Sequence, residues 1–107
     1  MKIAFAQLEF INPLLRKIAL EVEEEFGEQT VTSLFRIGDT GVHGTLPVRG
    51  IDLRDSDKAQ EIQEWVNARY QYDPDRKHIG CALYHNNRGA SGKHIHLQVH
   101  PKTVSIN

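Results

Sequence analysis

The seven residues from His94 to His100, HIHLQVH, alternate polar and apolar without a break. A β-strand sends successive side chains to opposite faces. Ile95, Leu97 and Val99 therefore share one face, and His94, His96, Gln98 and His100 share the other. This segment constrains the fold more than any other. It requires a sheet with one face on a core, and it lines the opposite face with imidazoles. Pro101 ends the strand because it has no N–H for the ladder. Side chains two positions apart on a strand lie roughly 7 Å from each other, close enough to serve one site. The chain has six histidines in 107 residues, four of them after position 84. Histidine is the commonest metal ligand and the side chain that titrates nearest neutral pH.

The core face of that strand needs partners, and two amphipathic segments supply them. Ile11, Leu14, Leu15, Ile18, Val22 and Phe26 recur every three or four residues, which predicts a helix over Asn12 to Phe26. Asn12 suits the N-cap, Pro13 the first helical position, and Gly27 the stop. Ala59, Ile62, Val66 and Tyr70 form the stripe of a second helix over Ser56 to Tyr70, with Trp65 on its flank and Asp57 and Gln60 at capping-box spacing. Strands are expected over Thr30 to Ile37, Gly50 to Arg54, His78 to His85 and His94 to His100. Gly38 to Gly50 reads as a glycine-rich loop, Asp73-Pro74-Asp75 as a turn, and Asn86 to Gly92 as another. This order predicts one small α+β domain over residues 1–107, with two helices packed on one face of a mainly antiparallel sheet.

Composition narrows the partners. Thirteen basic and fourteen acidic residues leave a net charge of -1, without the cationic excess that neutralises phosphates, so no nucleic-acid partner is expected. No apolar run approaches the ~18 residues of a membrane span. The N-terminal MKIAFAQLEF is broken by Gln7 and Glu9 and makes a poor signal peptide. The single cysteine, Cys81, excludes an internal disulfide framework and a multi-cysteine metal site; its place among apolar neighbours suits a small core residue. Glu21, Glu23, Glu24 and Glu25 read as a solvated helix face, Trp65 as helix packing, and His78 and His85 as surface residues.

A second polar set lies upstream of the histidine strand: Arg36, His43 and Asp52. Asp52, between Ile51 and Leu53, occupies the non-core face of its strand, where a cation or hydrogen-bond donor would offset its burial. Two histidines and one aspartate are donor types that bind a catalytic zinc and leave a position open. An arginine nearby could hold a substrate carboxylate in a bidentate fashion.

In this order, VTSLFR, a loop with His43, RGIDLR and HIHLQV, the chain resembles the zinc peptidases of the D-alanyl-D-alanine carboxypeptidase and L-alanyl-D-glutamate endopeptidase family, of hedgehog/DD-peptidase fold. The resemblance covers residues 30–100. It implies a hydrolase that cleaves amide bonds in peptidoglycan stem peptides, as phage endolysins do, with Zn2+ as cofactor. By it, His43, Asp52 and His96 are the metal ligands and His94 has a catalytic role. Arg36 orients the substrate, with Ser33 beside it in the same strand. The chain departs from the pattern in several places, Gly41, Val48 and Gly50 among them, which stand where the motif has serine, glycine and alanine. Eight residues, Gly44 to Ile51, separate His43 from Asp52, more than the family has. Leu34 replaces the glycine of the first strand, and no glutamate precedes the last histidines. A non-catalytic metal-binding relative and a phage structural or assembly protein are the alternative readings. Such an enzyme would stay in the cytoplasm until released to the cell wall.

Overall fold

The side-chain oxygen of Asn12 accepts hydrogen bonds from the backbone N–H groups of Leu14 (2.8 Å) and Leu15 (3.3 Å). Two of the donors that a helix start leaves without a partner are satisfied in this way. Helix α1 follows as Pro13–Phe26 and ends at Gly27, whose φ of 96° lies where a side chain would be strained. These elements belong to a computed structural model that describes residues 11–34, 49–86 and 93–106, with backbone alone at positions 33, 34 and 86.

The second helix, α2, is Ala59–Arg69 and starts later than the sequence predicts. The capping box of Asp57 and Gln60 does not form: Lys58 stands at the cap position without a side-chain bond, and Ser56 Oγ accepts from Lys58 N instead (3.3 Å). The Ser56 carbonyl also accepts from Ala59 N (3.2 Å). Residues 56–58 are thus used in a turn, which leaves Ala59 as the first helical residue.

Four strands form one antiparallel sheet in the order β1-β2-β5-β4: β1 (Val31–Leu34), β2 (Gly50–Arg54), β5 (Lys93–Gln98) and β4 (Ala82–Asn86). A second pair, β3 (Tyr70–Gln71) with β6 (Val104–Ser105), was not expected. The α+β class is as the sequence predicts. Ile51, Leu53, Ile95 and Leu97 are completely buried on the inner face, packed with Leu15, Ile18 and Val22 of α1 and Ala59, Ile62 and Val66 of α2. Each such aliphatic side chain contributes about 1.5–3 kcal/mol by leaving water. Trp65 packs edge-on against Phe26 at 5.8 Å and carries the Arg69 guanidinium over its ring at 4.2 Å, a structural role. Cys81 is buried, which pushes its thiol up to about 11.

Strand β4 begins at Ala82 rather than His78. The preceding segment turns, with Ile79 N donating to the Arg76 carbonyl (3.0 Å). On the outer edge of β4, α2 supplies the partners that a further strand would. Asn67 Nδ2 donates to the Ala82 carbonyl (2.9 Å), Asn67 Oδ1 accepts from Ala82 N (3.0 Å), and Gln63 Oε1 accepts from Tyr84 N (2.6 Å). An exposed sheet edge is thereby covered by helix side chains. The acidic face of α1 is not wholly solvated either. Glu21 accepts from the Tyr70 hydroxyl (2.6 Å), and Glu23 accepts from Gln29 N (3.0 Å). No helix among the described residues is long and apolar enough to cross a membrane.

Candidate functional site

Register decides which polar residues meet on the outer face of the sheet. Side chains directly opposite each other in an antiparallel pair share a face. Asp52 of β2 is paired with His96 of β5, and His96 with Leu83 of β4. One row along, Arg54 is paired with His94, and His94 with His85. In the other direction Gln98 stands opposite Gly50. At the far edge, Ser33 of β1 pairs with Asp52, after a register shift between Val31 and Ser33. Asp52, His85, His94, His96 and Gln98 thus occupy one surface, opposite the helices.

Asp52 and His96 are both 9% exposed, and they face each other: His96 Nδ1 lies 2.8 Å from Asp52 Oδ1. His94 Nε2 lies 3.7 Å from the same oxygen. The other ring nitrogen of His96, Nε2, is 3.2 Å from Gln98 Oε1, and Gln98 Nε2 donates to the Gly80 carbonyl at 2.9 Å. A continuous polar chain therefore runs from Asp52 through His96 and Gln98 to the backbone before β4.

His85 belongs to the same cluster. Its ring centroid is 4.7 Å from that of His94 and 6.3 Å from that of His96. Partial burial of the ring, and then the two neighbouring imidazoles, hold His85 below the ordinary histidine range; the Asp52 carboxylate acts in the opposite sense.

The structure brings together Asp52, His94 and His96 from the sequence-derived set. Ser33 is adjacent to Asp52 by backbone pairing. Arg36 and His43 lie outside the described residues. His100 is not on the polar face of the strand. β5 ends at Gln98, and the His100 backbone N–H donates to Thr103 Oγ1 (2.7 Å) while its Nδ1 accepts from Lys102 N (3.1 Å). The ring of His100 packs on Tyr72 at 5.4 Å. Pro101 forces this turn, because the ladder cannot continue through it. Sequence reading left out two members of the site, His85 and Gln98. Gln98 carried a signal in the alternation of HIHLQVH. His85 carried none, since only the β4–β5 register sets it beside His94.

Asp52 Oδ1, His96 Nδ1 and His94 Nε2 are oxygen and nitrogen donors of the type that zinc takes. Among the described residues, no three His, Cys, Asp or Glu side chains form a group able to hold a metal ion. The donors here are the facing pair Asp52 and His96, with His94 farther off. Compared with protein-family models, curated proteins and solved structures, the chain matches none.

Proposed function

We propose that the outer face of the sheet is the site of a zinc-dependent peptidase acting on peptidoglycan stem peptides, an endolysin-type activity. The observation that carries this reading is the shared oxygen: Asp52 Oδ1 is 2.8 Å from His96 Nδ1 and 3.7 Å from His94 Nε2, among three side chains that are themselves largely buried. The resemblance of RGIDLR and HIHLQV to the family's ligand-bearing strands gives it a reaction class. In this reading His43, Asp52 and His96 hold the ion. When bound, zinc supplies Lewis acidity at the scissile carbonyl and favours deprotonation of water. His94, two residues from His96 on the same face, holds or transfers a proton at Nε2. Arg36 holds a substrate carboxylate or carbonyl, beside Ser33, through its planar fork.

The test pairs metal content with muropeptide cleavage. His96→Ala should lose zinc, and His94→Ala should keep zinc and lose turnover. Both variants should fold, because the core face of β5 is Ile95 and Leu97. Loss of zinc in His94→Ala with retention in His96→Ala would exchange the two roles. Zinc uptake without cleavage by the unaltered protein would leave a metal-binding domain, and no zinc uptake would overturn the reading.

A further inference from the structure

A cleft of about 300 Å3 lies between α2 and the segment that leads into β4, and neither Asp52 nor His96 lines it. Its size is at the small end of the range for ligand pockets. What it can hold follows from which of its polar groups are already engaged. The Gly80 carbonyl accepts from Gln98 Nε2 (2.9 Å), and the Ala82 carbonyl from Asn67 Nδ2 (2.9 Å). Gln63 Oε1 accepts from Tyr84 N (2.6 Å), and Asn67 Oδ1 from Ala82 N (3.0 Å). The Tyr70 hydroxyl is spent on Glu21. The acceptors of the cleft are thus largely taken.

Donors remain. With its oxygen turned to Tyr84, Gln63 has an amide nitrogen that bonds nothing among the described residues. The side chains of Gln71, Lys77 and His78 likewise make no hydrogen bond or ion pair among the described residues. Lys77 and His78 are exposed at the rim. Among the described residues no aspartate or glutamate lines the cleft. A surplus of donors, one fixed positive charge and no carboxylate are matched by an acceptor that is itself negatively charged. The cleft also has an apolar wall, Ile79 and the 39%-exposed Leu83, which favours an anion carrying hydrocarbon over a bare inorganic one. We propose that this cleft binds a small carboxylate with a short apolar substituent, such as the carboxyl end of a peptide. Lys77 pairs with the carboxylate, the amides of Gln63 and Gln71 and the His78 ring N–H donate to its oxygens, and Ile79 and Leu83 receive the apolar substituent. This site stands independently of the peptidase reading.

The probe is N-acetylalanine, added to the full 15N-labelled chain. Its C-terminal amide and inorganic phosphate are the comparison arms. N-acetylalanine should shift the side-chain amide signals of Gln63 and Gln71 and the backbone signals of residues 77–83, in a saturable manner. The neutral amide should bind at least about 10-fold more weakly, because a charge-assisted bond is lost. Lys77→Met, which keeps the hydrocarbon stem and changes an exposed residue, should weaken N-acetylalanine by about 10-fold with the fold unchanged. Gln71→Leu should weaken it by a few-fold. Equal binding of the acid and its amide, shifts confined to other residues, or unchanged affinity in Lys77→Met would overturn the proposal. Phosphate binding tighter than N-acetylalanine would overturn the assignment to a carboxylate and leave a site for inorganic anions.

Discussion

A double-mutant cycle on Asp52 and His96 measures whether the contact at the centre of the site exists in solution. The two side chains are only 13% and 11% exposed and meet at 2.8 Å. A contact so placed is worth more than a surface ion pair, whose usual contribution is about 0.2–1 kcal/mol. A hydrogen bond accepted by a carboxylate belongs to the charge-assisted class, which contributes about 1.5–3 kcal/mol. Removing one partner also leaves the other desolvated. Asp52→Ala and His96→Ala should each cost about 2–3 kcal/mol in metal-free protein. That is well within the roughly 5–15 kcal/mol by which domains are stable, so each variant should still fold. With a urea slope of about 1–3 kcal/mol per molar, the midpoint should fall by about 1–2 M. The double variant should cost less than the sum of the two, by about 1–2 kcal/mol. His94→Ala serves as a control for the 3.7 Å contact with the same oxygen. Urea melts in the presence of a chelator are the assay. Additivity within about 0.5 kcal/mol, the range seen for independent sites, would refute the pairing.

Two other predictions concern the frame around the site. A Cβ added at Gly80 would come within 2.9 Å of the Asn67 side chain, which already brackets Ala82 with two hydrogen bonds. Gly80→Ala should therefore lower stability by about 1–3 kcal/mol and loosen β4, and an unchanged melting temperature would count against the clamp. Tyr70 is pushed up to about 12 by burial and then by its bond to Glu21. Its phenol ionises near 10 in an unfolded chain, so its contribution is present below about pH 10 and is lost between about pH 10 and 12. Tyr70→Phe should flatten the stability loss in that window, measured as the urea midpoint against pH. Equal slopes in the two proteins would refute the assignment.

Local features of this chain were legible where a local rule decides them. The Asn12 cap and Pro13 start placed α1, because capping is settled within three residues. Period-two alternation assigned Ile95 and Leu97 to the core and His94 and His96 to the opposite face, because the pleat itself imposes it. Other expectations failed where a competing partner intervened. β4 starts at Ala82, where Asn67 and Gln63 of α2 meet its edge. The capping-box spacing of Asp57 and Gln60 was overridden by the turn at Ser56. The pairing of Tyr70 with Ser105 joins segments too short and too far apart in sequence to carry a pattern.

The same division applies to the site. The sequence by itself determined that a histidine-bearing face would stand opposite the core and that Asp52 would lie away from it. Only the tertiary structure decided that Asp52 and His96, 44 positions apart, share a hydrogen-bond distance. It also decided that His85 packs at a tilt against His94 and that Gln98 is turned by the Gly80 carbonyl toward His96. These contacts depend on strand register. A shift of one residue would carry each side chain to the opposite face, so register is set by the burial of the whole sheet and not by any one segment.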